Sequence, residues 1–227
     1  MNNEKLLSAL KEAREEITTA KAMGADLSKL VSISSGNSKM GKVASVSLLP
    51  ILSCPSRCDG TCGEKCYARK LALLRPSVLK AYARNTALAL SAPLQFFQAV
   101  DDAMKSARFF RFHVSGDIPN MEYLALVAYL CNSNPHCEVL MFTKRYELVN
   151  EFINENTLPK NLHILMSGWT NLDPINPHNL PETTVYAKDA DIRPEWTLCG
   201  GNCLDCAIHD GGCWAAKSGE VIAFKIH

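Results

Sequence analysis

From about residue 43 onward, short apolar runs rich in β-branched residues alternate with amphipathic stretches on short connections, and few folds accommodate that order. "VASVSLLPIL", "RFFRFHV", "CEVLMF" and "LHILMS" read as strands. "PSVLKAYARNTALALSA", "PLQFFQAVDDAMKSA", "NMEYLALVAYLCN" and "KRYELVNEFINEN" read as helices, the first two opened by prolines at a permitted first-turn position. Two shorter strands, "TTVYAK" and "EVIAFKI", follow. Strand-helix alternation predicts a parallel sheet covered by helices. About six strands are too few to close an eight-stranded barrel. The expected fold is therefore α/β: a partial (β/α) TIM-like barrel or an open parallel sheet of about six strands covered by helices, with cysteine-rich loops.

Length sets the organisation. A chain of 227 residues suits one domain with a sizeable core. Residues 1–35 read as an N-terminal helical extension containing "EKLLSALKEAREEITTAKA", a helix stopped near Gly24. Residues 36–190 read as the partial barrel core, and residues 191–227 as a cysteine-rich region ending in the last strand. No apolar window approaches a membrane span, and the charged N-terminus lacks a signal-peptide pattern, so a cytoplasmic protein without a membrane partner is expected. Net charge is +1, which neither requires nor excludes nucleic acid.

Ten cysteines in such a chain point to metal rather than to disulfides, because the cytosol keeps thiols reduced. Cys131 and Cys137 sit beside apolar runs and read as packing residues. The other eight form two groups. "CPSRCDGTCGEKCYARK" holds Cys54, Cys58, Cys62 and Cys66 at C-x3-C-x3-C-x3-C spacing; Pro55, Gly60 and Gly63 argue against one helix through them. "CGGNCLDCAIHDGGCW" holds Cys199, Cys203, Cys206 and Cys213. A structural zinc site usually pairs two C-x2-C knuckles, which the first group lacks, so its wider gaps favour an iron-sulfur cluster. The second group suits zinc as well as iron-sulfur, and His209 is a further ligand candidate there.

Parallel α/β folds bind ligands at the carboxyl ends of their strands. Four successive strand ends here would present the first cysteine loop, "SGDIPN", "TKR" and "SGW". The plain alternatives are that Asp117 is a turn residue, that His113 points into the core, that Lys144 and Arg145 begin a solvated helix, and that Asn37 and Lys39 lie in a polar loop. Arg84 and Asn85 read as surface or packing residues, and Trp169 and Trp214 as packing against the metal loops. No Walker loop, G-x-G-x-x-G fingerprint or G-x-S-x-G elbow occurs.

The cysteine loop ending in "CYA", the "SGD" turn and "FTKRYELV" resemble the radical S-adenosylmethionine (SAM) superfamily, in particular its small phage-encoded members. "GNSKMGKVASVSLLPILSCP", "CYARK" and "CLDCAIHDGGCW" are similar to the phage gene product 88 family, over about residues 36–214. The superfamily resemblance implies three cysteines holding a [4Fe-4S] cluster whose open iron is chelated by S-adenosylmethionine. It implies that Ser115, Gly116 and Asp117 contact the methionine amino group and that Lys144 or Arg145 meets its carboxylate. Reduction would then release a 5′-deoxyadenosyl radical that abstracts hydrogen from a substrate, with an electron donor required. The usual superfamily spacing is C-x3-C-x2-C with an aromatic before the last cysteine, whereas Lys65 stands there here and Tyr67 follows Cys66. The phage pattern favours Cys54, Cys62 and Cys66 as ligands and leaves Cys58 open.

Two functions remain in competition at this stage. One is an iron-sulfur enzyme of radical SAM type with one or two clusters, using a small-molecule cofactor and acting on an unknown substrate. The other is a non-catalytic metal-stabilised protein, with zinc or iron-sulfur, that binds a partner such as nucleic acid or transfers electrons.

Overall fold

The computed structural model describes residues 3–226. Its centre is an eight-stranded sheet rather than the six-stranded one expected. The strands are β1 (Ile33–Ser34), β2 (Ala44–Val46), β3 (Phe109–Phe112), β4 (Glu138–Thr143), β5 (Leu162–Ser167), β6 (Glu182–Tyr186), β7 (Thr197–Leu198) and β8 (Val221–Lys225). The helices are α1 (Glu4–Ala22), α2 (Tyr67–Leu74), α3 (Pro76–Ser91), α4 (Pro93–Lys105), α5 (Met121–Ser133), α6 (Tyr146–Glu155) and α7 (Cys203–Ile208). The sheet order is β1-β2-β3-β4-β5-β6-β8-β7. β1 pairs antiparallel with β2 and every other pair is parallel.

The two additional strands are the edge pieces β1 and β7, two residues each. Periodicity cannot show itself over two residues, and both exist only because a neighbour supplies hydrogen bonds. β2 is likewise shorter than its ten-residue apolar run, because the chain leaves the sheet after Val46 and continues buried through Leu48 and Leu49. Leu49 N–H donates to the Thr86 hydroxyl at 2.7 Å. Asn85, itself buried, donates to the carbonyls of Ser32 and Ser47 and accepts from Ser32 N–H. An irregular buried backbone must find partners, and α3 provides them.

The two faces of the sheet bury different things. Phe110, Phe112, Val139, Met141, Ile164 and Met166 meet the helices on one face, in a core that also takes Leu6, Leu10, Ala13 and Ile17 from α1. The N-terminal helix thus packs into the main core on its 3–4-residue apolar stripe. On the other face Leu140, Leu165, Val43 and Ile222 pack against Trp214 and Ala207 of the C-terminal cysteine segment. Alternate residues of each strand therefore serve two unlike layers, as the period of two requires. Cys131 and Cys137 are fully buried and packed with the helices, as expected. Asn161 ties them in by donating to the carbonyls of Cys131, Asn134 and Cys137. Among the described residues no helix is long and apolar enough to cross a membrane.

Candidate functional site

A cavity of about 640 Å³ opens where β2 to β5 end, and all eight clustered cysteines line it. Two thiol groups far apart in sequence thus face one space. Ser115, Gly116, Asp117, Thr143, Lys144, Ser167 and Trp169 complete that rim.

The first cysteine loop leaves β2 through Ser53 and makes one 3₁₀ turn, Ser56–Cys58. It ends at Cys66, the N-cap of α2, whose sulfur accepts from Arg69 N–H at 3.4 Å. The helix begins only after the last thiol, consistent with the breakers inside the loop. Cys58 is buried, and its thiol shares hydrogen bonds with Cys54 and Cys62. The Cys54 contact, with burial, pushes the Cys58 thiol up to about 12. Cys62 is raised by Cys58 and by burial, and Cys66 chiefly by burial. Cys58, the thiol that the phage pattern leaves open, therefore stands between two of the favoured ligands.

The "SGD" turn supports that loop from beneath. The Ser115 hydroxyl donates to the Leu48 carbonyl at 2.9 Å, and Leu48 N–H donates back to the Ser115 carbonyl. Gly116 has φ +83°, and a Cβ there would come within 2.5 Å of Ser53 Oγ and 2.7 Å of Leu48 Cβ, so only glycine lets the two segments touch. Asp117 is buried; Oδ1 accepts from the Thr143 hydroxyl and Ile118 N–H, and Oδ2 from Lys144 N–H. Burial pushes its carboxyl up, against the pull of those donors. Its two oxygens join the ends of β3 and β4.

"KRYE" clamps the same loop from the side. Lys144, 8% exposed, lines the cavity and donates from Nζ to the Ser167 hydroxyl at 2.6 Å. Arg145 is not on the cavity wall; its guanidinium donates to the Ser53 carbonyl at 3.2 Å. The Tyr146 hydroxyl donates to the Ser167 carbonyl, while Arg57 lies 4.6 Å over the Tyr146 ring and pairs with Glu147. Neither Lys144 nor Arg145 simply begins a solvated helix.

The second cysteine group lies against the sheet. α7, absent from the expected elements because six residues give too little periodicity, is capped by the Asn202 side chain. Cys203 and Leu204 N–H groups donate to the carbonyls of Lys39 and Met40, so α7 hangs on the loop before β2. Gly41 makes room there: at φ +67° a Cβ would lie 2.6 Å from Leu204 Cβ. Trp214 donates to the Cys203 carbonyl at 3.0 Å and packs edge-on against Phe109, the packing role expected of it. Burial pushes Cys213 up to about 12. His209 is exposed, hydrogen-bonds the Asp205 carbonyl and lies off the cavity wall.

Two wall residues went unread or undervalued in the sequence. Arg111 stands in the middle of β3, its guanidinium 4.6 Å over the Phe142 ring and 3.4 Å from Cys203 Sγ. A charge inside the apolar run "RFFRFHV" was the signal for it. His113 ends the same run with φ +59°, buried, Nε2 3.1 Å from the Tyr123 hydroxyl and Nδ1 without a partner. Burial lowers it to about 3, so it is a neutral imidazole in the cavity wall.

Thiols in a partly enclosed, apolar-walled space are soft donors that suit zinc or iron-sulfur, and a bound metal displaces their protons. Among the described residues no three His, Cys, Asp or Glu side chains stand ready to hold a single ion, so loading requires the thiols to turn toward a common centre. The donor chemistry fits a metal group.

Fold and site together define an α/β protein with a mostly parallel sheet, the main helical layer on one face, the short α7 on the other, and a thiol-lined cavity at the strand ends. The chain belongs to the Gene product 88 family, whose model matches residues 3–215. The resemblance to that phage family is thereby borne out. Neither a curated protein nor a solved structure matches the chain.

Proposed function

We propose that the chain is an iron-sulfur enzyme of radical SAM type, with a [4Fe-4S] cluster on the loop after β2 and a second metal centre on the C-terminal cysteines, inside a partial barrel. One observation carries the reading: eight thiols from two distant segments and the buried Lys144 ammonium line a single cavity at the ends of parallel strands.

Cys54, Cys62 and Cys66 would hold the first cluster, with Cys58 beside them as a fourth thiol. When bound, that group supplies one-electron chemistry. Lys144, steadied by Ser167, offers an ammonium to the carboxylate of S-adenosylmethionine. Ser115 and Gly116 hold the base of the cysteine loop at the rim, and Asp117 keeps β3 and β4 together beneath it. Arg145 and the Arg57–Glu147 pair hold the loop from the side.

A second reading has its own support. Cys203 and Cys206 form a C-x2-C pair at the start of α7, the spacing of a zinc knuckle, which favours a metal-stabilised binding or electron-transfer protein. Anaerobic purification with iron, sulfide and zinc quantification separates the two. Iron with sulfide, followed by release of 5′-deoxyadenosine from S-adenosylmethionine on reduction, supports the enzyme. Zinc alone, or a reduced cluster that leaves S-adenosylmethionine intact, overturns it.

A further inference from the structure

The cavity wall differs sharply in charge from the whole chain. The protein carries a net charge of +1, yet the wall gathers Lys39, Lys65, Arg111, Lys144 and Lys225 against the single acid Asp117. Asp117 is already committed to the Thr143 hydroxyl and two backbone N–H groups. Lys225 is answered by Asp189 at 3.2 Å. Arg111 is not: no carboxylate pairs with it among the described residues, and its polar contact is the Cys203 sulfur at 3.4 Å.

A cation withdrawn from bulk water is costly without a counter-charge. Arg111 is also held in place, its guanidinium 4.6 Å over the Phe142 ring with Nε buried and unpartnered. A guanidinium fixed in this way loses little freedom on meeting an acid group, and its fork suits carboxylate and phosphate alike. Around it the wall is apolar: Leu140, Phe142, Trp214 and Phe224.

We propose that the cavity takes a small organic anion, with an apolar body against the aromatic wall and a carboxylate or phosphate on Arg111. The proposal goes beyond the metal reading and does not depend on which metal the thiols hold. A small molecule is favoured over a nucleic-acid strand because the cations line a concavity of about 640 Å³ rather than an open stripe.

The test uses full-length protein purified anaerobically with the metal it carries, titrated calorimetrically with phenyl phosphate, benzoate and the neutral benzyl alcohol. Either anion is expected to bind about tenfold or more tightly than the alcohol, the worth of one charge-assisted contact. The two anions distinguish phosphate from carboxylate. Arg111→Gln should remove the preference and Arg111→Lys should keep part of it, with circular dichroism confirming that both variants fold. Equal binding of anion and alcohol, an undiminished preference in Arg111→Gln, no anion binding at millimolar concentration, or binding only of a single-stranded oligonucleotide each overturns the proposal. Metal content is read on the same samples, so a colourless protein that still prefers anions removes the iron-sulfur reading and leaves this one standing.

Discussion

Asp117 Oδ1 accepts a 2.6 Å hydrogen bond from the Thr143 hydroxyl, joining the ends of β3 and β4 beneath the cysteine loop. The neighbouring carboxylate oxygen accepts from Lys144 N–H at 2.8 Å. Asp117→Asn replaces an acceptor oxygen with an NH2 group that cannot serve a donor. We expect urea unfolding to show a loss of about 1–3 kcal/mol, the cost of one buried donor left unmade. Unchanged stability would mean that the strand ends do not need this carboxylate.

Gly116→Ala places a methyl group where Ser53 Oγ and Leu48 Cβ already stand, at a positive φ. The expected result is a destabilisation of about 2 kcal/mol or more, together with reduced retention of the proposed metal, because the displaced segment leads directly into Cys54. Thermal melts and metal content of the purified variant check both parts. A variant with native stability would contradict the contact.

His113 makes stability depend on pH with a definite sign. Burial lowers its folded value to about 3 from an ordinary 6.5, so between those values the unfolded chain binds the extra proton. Stability from the neutral imidazole is complete above pH 6.5 and falls on acidification, by up to about 1.4 kcal/mol per pH unit. His113→Asn tolerates the left-handed backbone and should flatten that slope in denaturant titrations at successive pH values. An equal slope in the variant would assign the effect elsewhere.

Leu6 is fully buried although it lies at the beginning of the chain. Leu6→Ala should cost about 2–5 kcal/mol in chemical denaturation. A loss below 1 kcal/mol would instead mark α1 as an extension only loosely held to the core.

Arg57 pairs with Glu147, whose carboxyl it holds below the usual range, but that carboxylate is more than half exposed. Arg57→Ala should therefore change global stability by less than about 1 kcal/mol. Its effect should show instead as faster loss of the proposed metal to a chelator, since Arg57 lies between Cys54 and Cys58. Chelator kinetics unchanged from the parent would remove the clamp.

Much of the fold was legible because periodicity is local. α1 begins and ends where its apolar stripe does, and β5 spans the whole of "LHILMS". The "SGD" turn and "TKR" were placed at strand ends by counting strands alone, and they do line or brace the cavity rim. Edge strands β1 and β7 and the short helix α7 were not legible, since two to six residues contain no period and their hydrogen-bond partners are remote in sequence.

By itself, the sequence determined where most of the longer strands and helices would lie, that Cys131 and Cys137 would be packing residues, and that two sets of four thiols stood apart from the rest. Local composition and spacing suffice for that. Only the tertiary structure decided that both thiol sets face one cavity, that Arg145 turns to the Ser53 carbonyl while Lys144 turns inward, and that Arg111 reaches Cys203. Those facts follow from the parallel register of the sheet and from the C-terminal segment folding back across its second face, which bring together groups that are distant along the chain.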